Sequence, residues 1–401
     1  MNAKRAEFIE KVWNKYPEAP RQLLKWGRIH QLRCGMQSVA THKPIETETY
    51  TGTDILVDGD LVGLLPAGRF ILLAPNLTDR AVNSPAANDP WTIQKNWLEY
   101  LQFVETFFVE KKFLRGRSPI LTECPGTEPS LDVFSSTFQL GSKSKKYFLS
   151  TSPELHLKKL LSLGAEKLFE IAPVFRNGEQ TDRHHFQFHM LEWYRAFAPL
   201  SAIKHDVIEL FEHSANFLKV PPPKEVLTFT IPDLFKHHLH FEIRPNTTIE
   251  EFKALAQKHS IDVAAAQVID DYFYLIFTDR IENKWPQDRL VFIEKYPPYQ
   301  AALARIGLDG WAERFEAYYQ GLEIGNAFHE LNNPHIQKQR SLDDLKKKAQ
   351  LGKEQIGLDE EFFYALEFGM PPSSGIAIGL ERIFMSLKGI KEIKTLNSIF
   401  Y

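Results

Sequence analysis

The chain has 401 residues, of which 43% are apolar, and its formal net charge is -3. That length predicts one large domain of catalytic size and a smaller one, and the apolar content is sufficient for a full core. The near-neutral charge gives no overall attraction to nucleic acid or membranes, and no apolar run approaches the ~18 residues of a membrane span. Two cysteines, Cys34 and Cys124, lack the spacing of a zinc or redox motif. We therefore expect a cytoplasmic protein.

The first 80 residues predict a small, partly β module. Short β candidates at 55–57, 61–65 and 70–73 are separated by turn signals. Residues 1 to 43 carry nine Lys or Arg against three Asp or Glu, which is a modest basic excess. Residues 81 to 91 belong to a stretch rich in Asn, Ala, Asp and Pro, which is typical of a linker. A large domain is then expected over 92–401.

Helices and strands follow one another irregularly through the large domain. The spacing of apolar residues predicts helices over 91–112, 155–163, 203–218, 249–259, 264–280, 311–319 and 380–388. Strand patterns occur at 118–123, 168–175, 186–194, 290–293 and 374–379. Hairpin-connected strands with helices between them favour an α+β fold with an antiparallel sheet. No strand leads into a Walker-type or dinucleotide-type glycine loop, so a bound nucleotide would need another cradle.

The most informative stretch is the predicted hairpin from Phe175 to Arg195. Side chains alternate between the two faces of a strand. This alternation places on one face Phe186, Phe188, Met190, Glu192 and Tyr194. Arg176 ends the facing strand before a turn signal, Asn177-Gly178. Arginine, aromatic rings and a carboxylate together predict a pocket for an anion, a flat ring and a cation.

A second arginine follows a strand of small residues near the end of the sequence. Every other position of 373–379 is small, which lets a ligand lie against the backbone. Arg382 comes next, in the first turn of the predicted last helix. A lone arginine is more often part of a surface ion pair. Together, however, Arg176 and Arg382 predict a clamp for a polyphosphate that stabilises charge at a phosphorus under attack.

Two acids flank an asparagine in the segment from Leu322 to Leu331, namely Glu323 and Glu330 around Asn326. Carboxylates are natural ligands for the Mg²⁺ that accompanies ATP. A regular strand would send the two acids to opposite faces, whereas a helix would place them on one face. We interpret the segment as a strand that is bulged near Gly325, with a polar helix face as the alternative.

Three further features have a structural interpretation. His184 and its neighbouring histidines lack a partner at zinc-ligand spacing, and His184 beside Arg183 is better placed to contact phosphate. Glu154 is explained without a ligand as part of a capping box over 151–154. Lys346 to Lys348 is interpreted as the solvated face of a charged helix.

These motifs resemble those of class II aminoacyl-tRNA synthetases. Motif 2 is similar to FRNGEQTDRHHFQFHMLEWYR, motif 3 to GIAIGLER, and motif 1 to TECP at 122–125. The lysine branch of that family is indicated by YFLSTSPELHLKKLL, LEIGNAFHEL and MLEWY. Within this branch the chain most resembles the elongation factor P–(R)-β-lysine ligases, synthetase paralogues that modify a protein lysine instead of charging tRNA.

The resemblance implies a class II antiparallel sheet flanked by helices, a homodimer, and an AMP-forming ligase that uses ATP and Mg²⁺. It places ATP between Arg176 and Arg382, with Phe188 stacked on adenine and His184 near the phosphates. It assigns the metal to Glu323 and Glu330. The amino-acid pocket would be formed by Ser152, Glu154, Glu192, Tyr194, Asn326 and Ala377. In that pocket, Glu192 would take the side-chain ammonium.

The chain also departs from the motifs of the family. Motif 2 usually has glutamate two residues after its arginine, where this chain has Gly178 with Glu179 next, and His185 stands where asparagine is usual. Lysyl-tRNA synthetases resemble one another in having glycine where Ala377 stands, and β-lysine ligases have alanine. One methyl group discriminates between substrates by only ~1 to 3 kcal/mol. Ala377 therefore favours β-lysine over α-lysine without deciding between the two substrates.

Three functions are compatible with these observations. The first is activation of lysine or β-lysine with ATP, followed by transfer to a lysine of elongation factor P. The second is the charging of tRNA with lysine, which gains support if residues 1 to 80 form a β-barrel that reads an anticodon. The third is a regulator that keeps the synthetase fold without catalysis.

Overall fold

The computed structural model describes residues 25–29, 36–37, 44–45, 60–65, 69–74, 90–282 and 284–397. The chain divides into two units, Met1–Lys95 and Asn96–Tyr401. The described strands of the first unit are β1 (Lys25–Ile29), β2 (Met36–Gln37), β3 (Pro44–Ile45), β4 (Leu61–Leu65) and β5 (Arg69–Ala74). They form an antiparallel sheet in the order β3-β2-β1-β4-β5. The predicted strands at 61–65 and 70–73 are confirmed, whereas 55–57 lies outside the described residues.

From residue 90 onward the chain is described almost continuously. Its helices are α1 (Pro90–Glu110), α2 (Glu154–Ser162), α3 (Leu200–Leu218), α4 (Ile231–Leu239), α5 (Ile249–Lys258), α6 (Ile269–Arg280), α7 (Pro334–Gln350), α8 (Glu360–Gly369), α9 (Leu380–Lys388) and α10 (Lys394–Asn397). Its strands are β6 (Leu114–Arg115), β7 (Leu121–Thr122), β8 (Ser135–Leu140), β9 (Lys143–Leu149), β10 (Lys167–Phe175), β11 (Gln187–Ala196), β12 (Val226–Thr230), β13 (Leu290–Tyr296), β14 (Ala312–Tyr319), β15 (Leu322–His329) and β16 (Ser373–Gly379). The predicted helices are confirmed except for the one at 311–319.

An eight-stranded sheet forms the centre of the second unit, in the order β12-β13-β14-β15-β16-β11-β10-β6. Its neighbours are antiparallel except for two parallel pairs at the edges, β12 with β13 and β10 with β6. A separate antiparallel sheet has the order β7-β9-β8. The predicted α+β architecture with an antiparallel sheet is confirmed. No helix within the described residues is both long and apolar enough to cross a membrane.

The predicted hairpin is formed by β10 and β11, which pair from Lys167 with Arg195 to Phe175 with Gln187. One face of β11 packs on α3, where the indole of Trp193 donates to Asp206 Oδ2 over 3.1 Å and Arg195 binds both oxygens of that carboxylate. The opposite face carries the predicted pocket side chains from Phe188 onward. Phe186 was wrongly included, because it precedes the strand and is exposed.

The helix predicted at 311–319 is wrong, because this segment forms β14 between β13 and β15. Its charged residues recur at a helix-like spacing of three. In the strand, however, Arg314 and Glu316 lie two residues apart, and Nη2 of Arg314 donates to Oε1 of Glu316. Two tyrosine hydroxyls also donate to Glu316 Oε2, from Tyr296 over 2.6 Å and from Tyr318 over 2.7 Å. A buried strand can therefore carry charge when tertiary partners supply the hydrogen bonds.

The bulge predicted in the segment from Leu322 is confirmed. β14 pairs Ala317 with Gly325 but the adjacent Tyr318 with Glu323, so Ile324 is the extra residue. The bulge brings Glu323 onto the same face as Asn326, which a regular strand could not do.

Candidate active site

A cavity of about 420 Å³ lies over the middle of the large sheet. This volume is typical of small-molecule sites. Its wall includes most of the predicted site residues, namely Ser152, Glu154, Arg176, His184, Phe188, Glu192, Glu323, Asn326, Ala377 and Arg382. Two predicted residues, Tyr194 and Glu330, do not line the cavity. The sheet therefore brings together side chains that come from widely separated parts of the sequence.

Strand register explains the floor of the cavity. Glu192 on β11 pairs with Ala377 on β16, and Ala377 pairs in turn with Asn326 on β15. Residues that are directly paired point to the same face of a sheet, so these three form one row. The oxygen Oδ1 of Asn326 is buried without a hydrogen-bond partner among the described residues. A carboxylate and an unsatisfied amide oxygen thus flank a single methyl group, which suits a cationic ligand.

The carboxylate of Glu192 is fully buried. Ser152 Oγ donates to its Oε1 over 2.7 Å, and the hydroxyl of Tyr194 donates to Oε2 over 2.8 Å. Burial, with the negative charge of Glu154 as a second cause, raises the pKa of Glu192 to about 8. A carboxylate in this state is ready to gain a cationic partner, because a positive charge would offset the desolvation.

Tyr194 lies two residues after Glu192 on the same face of β11, and its hydroxyl holds the carboxylate from outside the cavity wall. Its ring packs against the backbone of Gly375, where a Cβ atom would overlap ring carbons of Tyr194. Burial raises the pKa of Tyr194 well above its usual range, so its hydroxyl stays protonated and donates. A glycine in the small-residue strand β16 thus makes room for a protein side chain.

Glu154 belongs to a buried group of charges and not to a capping box. Pro153 is the N-cap of α2, without a side-chain cap, and Ser152 Oγ accepts from the backbone N–H of Glu154 over 2.9 Å. The carboxylate of Glu154 instead pairs with Lys158 Nζ at 2.6 Å, and the same ammonium pairs with Glu330 at 2.7 Å. Burial opposes charge on Lys158, but the two carboxylates outweigh it and raise its pKa.

Arg176 lies at the other end of the cavity, where β10 ends. Its guanidinium stands over the ring of Phe188 at 5.2 Å, and its Nε is buried without a partner among the described residues. Gly178 has a positive φ of 79°, and the turn it allows places Glu179 on the cavity wall, with Oε1 at 3.9 Å from Arg176. The chain therefore supplies a carboxylate here one residue later than the family motif does.

Arg382 is held by β15 and by the loop of the hairpin. Its Nη1 donates to the carbonyl of Glu323 over 2.6 Å, and its Nη2 lies 2.8 Å from Nε2 of His184. A guanidinium can only donate, so Nε2 accepts and the proton of the imidazole resides on Nδ1, next to Thr181 Oγ1 at 3.0 Å. Burial and, next, the charge of Arg382 lower the pKa of His184 and keep its ring neutral.

Comparison with protein families matches residues 92–398 to the model described as tRNA synthetases class II (D, K and N). The chain belongs to this family. The hairpin of β10 and β11 is thus its motif 2, and β16 with α9 is its motif 3. The predicted resemblance and the predicted class II fold are confirmed.

Curated relatives narrow the comparison within the class II synthetases. A Haemophilus influenzae (strain PittGG) protein named elongation factor P--(R)-beta-lysine ligase is 35% identical over 288 residues, covering 70% of this chain and 86% of that protein. Proteins of the same name from Histophilus somni (strain 2336) and Pasteurella multocida (strain Pm70) are each 32% identical over 294 residues, covering 72% of this chain and 89% of theirs. The predicted enzyme class, an amino-acid ligase, is confirmed.

A class II synthetase is expected to bind Mg²⁺, and one of the two residues predicted to bind it lines the cavity. Glu323 is half-buried, with Oε2 at 3.8 Å from Arg382 Nη1, and burial, followed by the neighbouring Glu316, raises its pKa in spite of that arginine. Glu330 lies outside the cavity wall and pairs with Lys158. No group of three or more candidate metal ligands occurs in the described parts of the chain. Glu323 alone fits Mg²⁺, which commonly uses one or two carboxylates together with substrate phosphates.

Sequence reasoning missed two residues of the synthetase site. Lys158 follows Glu154 at a spacing of four on the same helix, and this spacing is a recognisable signal for an ion pair. Glu179 was visible only as the neighbour of an unusual glycine. Lys348, interpreted as solvated, is buried and donates to the carbonyls of Glu128 and Leu131 over 3.0 and 2.7 Å.

Proposed function

We propose that this protein activates lysine or β-lysine with ATP as an aminoacyl-adenylate and transfers the aminoacyl group to a lysine of elongation factor P. The observation that carries the proposal is the buried Glu192 carboxylate, held by two hydroxyl donors on the floor of a cavity that also contains two arginines. The names of the curated relatives support this choice of substrate and acceptor.

The amino acid would lie along the row formed by Glu192, Ala377 and Asn326. Its side-chain ammonium would pair with Glu192 and relieve the cost of burying that carboxylate. Asn326 Oδ1, which has no partner in the described chain, would accept from an amino group. Ser152 and Tyr194 hold the carboxylate in place, and Glu154 adds negative charge nearby.

The nucleotide would occupy the end of the cavity that Arg176 and Arg382 line. Phe188 offers a flat ring for adenine, and Glu179 offers a carboxylate one residue after the position that is usual in the family. His184, neutral and hydrogen-bonded to Arg382, holds the hairpin loop over the phosphates. Bound Mg²⁺ would be held by Glu323 and the phosphates, where it would neutralise negative charge.

The first chemical step needs no general base, because the carboxylate of the amino acid is already ionised at neutral pH. One of its oxygens attacks the α-phosphorus in line, the bond to the bridging oxygen breaks, and pyrophosphate leaves with the electron pair. Arg176 and Arg382 stabilise the charge that develops on the phosphoryl oxygens. The enzyme then holds an aminoacyl-adenylate whose carbonyl carbon faces the acceptor.

Ala377 favours β-lysine over α-lysine, by analogy with the glycine-to-alanine difference between lysyl-tRNA synthetases and β-lysine ligases. Its methyl group lies in the row between Glu192 and Asn326, so it limits the space for an amino group between them. Ala377→Gly is expected to narrow the preference for β-lysine by about 1 to 3 kcal/mol, or roughly 5- to 150-fold.

The proposal is tested by pyrophosphate exchange with α-lysine and β-lysine, followed by transfer to elongation factor P or to tRNA. We expect exchange with a lysine-like substrate and labelling of elongation factor P. Charging of tRNA without labelling of elongation factor P would indicate a tRNA synthetase. An absence of exchange with both amino acids would indicate a regulator without catalysis and would refute the proposal.

We also propose that the enzyme acts as a homodimer in the cytoplasm, where its proposed acceptor takes part in translation. The strands around motif 1 expose large apolar side chains, namely Ile120, Leu121, Phe138 and Leu140. Apolar side chains grouped on a surface are typical of protein interfaces. Sedimentation equilibrium would give the mass of a dimer, and a monomer mass at micromolar concentration would refute this proposal.

A further inference from the structure

One part of the cavity wall is formed by residues to which none of these roles is assigned. We call this part the acceptor lobe; it lies between the segment 124–131 and helix α7, and it is lined by Glu128, Leu131, Gln337, Ser341 and Asp344. The three residues from α7 are spaced by four and three, so they share one face of the helix. Lys348, one turn further on, fixes α7 to the segment through the carbonyls of Glu128 and Leu131.

The acceptor lobe contains a buried hydrogen-bond acceptor without a donor. Gln337 is 1% exposed and lines the cavity, and its Oε1 has no hydrogen-bond partner within the described part of the chain. The other end of its amide lies 3.4 Å from Ser341 Oγ. A buried acceptor left unsatisfied costs about 1 to 3 kcal/mol. An N–H group of a ligand would remove this penalty.

Two carboxylates complete the lobe. The side chain of Glu128 folds back over Gly126, which has a φ of +131°. Glycine fits here because a Cβ atom at this position would overlap Oε2 of Glu128. Asp344 faces the same lobe from α7. Among the described residues neither carboxylate forms an ion pair within 4.0 Å. Two acids and an unsatisfied amide oxygen form a surface for a primary ammonium group, which has three N–H donors.

The acceptor lobe also lies close to the reacting atoms. Burial raises the pKa of Glu128, and its charged neighbours include Glu154 of the amino-acid pocket, Arg176 of the nucleotide end and Asp344. The carbonyl carbon of an adenylate belongs where the amino-acid pocket meets the nucleotide end. Glu128 lines the same cavity as Glu154 and Arg176, so an amine held at Glu128 would share that cavity with the adenylate.

We propose that the acceptor lobe receives the side chain of the acceptor lysine, with its amino group between Glu128, Asp344 and Gln337, and that Glu128 takes the proton released on attack. This inference rests on the proposed function. The lysine nitrogen forms a bond to the carbonyl carbon of the adenylate, the bond from that carbon to the phosphate oxygen breaks, and AMP leaves with the electron pair. The nitrogen loses two protons in all. The first passes from the ammonium to the carboxylate of Asp344 and frees the lone pair for attack, and the second, released on attack, passes to the carboxylate of Glu128.

The test compares three activities of Glu128→Gln and Asp344→Asn with those of the unaltered protein. Pyrophosphate exchange measures adenylate formation, and labelling of unmodified elongation factor P measures transfer to a lysine. Hydroxamate formation with hydroxylamine measures transfer to a small amine that is uncharged at neutral pH and needs no ammonium site. Glu225→Gln is the matched control, because Glu225 is an exposed carboxylate outside the cavity, paired with Arg289.

We expect the ratio of protein labelling to exchange to fall at least tenfold in Glu128→Gln and severalfold in Asp344→Asn. In Asp344→Asn the ratio of hydroxamate to exchange should stay within about twofold, as should all ratios of the control. In Glu128→Gln this ratio should fall, but less than the labelling ratio, because Glu128 would also accept the proton from hydroxylamine. An unchanged labelling ratio would overturn the inference, as would equal losses of labelling and hydroxamate, or an effect confined to the KM for lysine. Exchange by the unaltered protein decides the proposed function separately, so the two failures can be distinguished.

Discussion

Replacement of Glu192 by glutamine removes a charge from the site and leaves its shape almost unchanged. In the structure Ser152 and Tyr194 donate to the two oxygens of Glu192, and no cationic side chain among the described residues is hydrogen-bonded to it. The proposed cation is the side-chain ammonium of the substrate. Glu192→Gln therefore tests whether this buried carboxylate is the recognition element for a lysine-like side chain.

The magnitude follows from the burial of the group. Loss of one partner of a buried, hydrogen-bonded charge pair typically costs 2 to 5 kcal/mol. A middle value of about 3 kcal/mol corresponds to a roughly 100-fold rise in the KM for lysine. The KM for ATP should change little, because the nucleotide end of the cavity is built from other residues, chiefly Arg176 and Arg382.

The raised pKa of Glu192 adds a dependence on pH. Its pKa is about 8 in the folded protein, against an ordinary value of 4.5. Between pH 4.5 and 8 the carboxyl is therefore ionised in the unfolded chain but protonated in the folded protein, so the free energy of unfolding falls as pH rises. At pH 7 the unliganded Glu192→Gln variant should accordingly be more stable by about 3 kcal/mol. Binding of an ammonium requires the ionised form, so lysine affinity should rise roughly 50-fold from pH 6 to 8, and this rise should disappear in the variant.

Pyrophosphate exchange at varied lysine concentration and pH measures the binding effect, and urea unfolding without ligand measures the stability effect. Glu170→Gln is a matched control on the adjacent strand, since the carboxylate of Glu170 pairs with Ser118 and does not line the cavity. A KM for lysine within threefold of the unaltered value, or an unchanged dependence on pH, would refute the assigned role.

Three further variants test other parts of the site. Arg382→Ala should lower pyrophosphate exchange at least about 100-fold with unchanged circular dichroism, because it removes a donor to the developing charge; near-normal exchange would contradict the role. Gly375→Ala should lower the free energy of unfolding in urea by about 1 to 3 kcal/mol, because its methyl group would overlap the ring of Tyr194, whereas Gly357→Ala, in open space, should not. Lys158→Met should lower it by about 3 to 5 kcal/mol, since two buried carboxylates lose their cation, and a change below 1 kcal/mol would contradict this.

The parts of the fold that the sequence predicts well are governed by local rules. The strand that carries Glu192 is recognisable because its residues alternate between an aromatic pocket face and a core face. Helix α9 is recognisable from its spacing, and the observed Leu380–Lys388 agrees with the prediction at both ends. Arg176 and Arg382 could be selected because each follows a pattern that restricts where its side chain can point.

The parts that the sequence predicts poorly depend on partners far away in the chain. The prediction of a helix at 311–319 fails because the segment itself does not reveal that it pairs with β13 and β15, or that Tyr296 on β13 donates to Glu316. Glu330 was expected to share a metal ion with Glu323, and the structure pairs it with Lys158 on helix α2. No local pattern contains these pairings. The row of Glu192, Ala377 and Asn326 likewise requires the register of three strands, which only the folded sheet defines.

The position of Glu192 is fixed mainly by the residues on the opposite face of β11. Its neighbour Trp193 is fully buried and bonded through its indole to Asp206, which also binds Arg195. A slip of β11 by one residue would place this indole in the cavity and the carboxylate in the apolar core. Such a slip would break all three hydrogen bonds to Asp206 and bury an unpaired charge, so the register has one stable solution. The core behind the sheet therefore sets the accuracy with which the cavity presents its carboxylate.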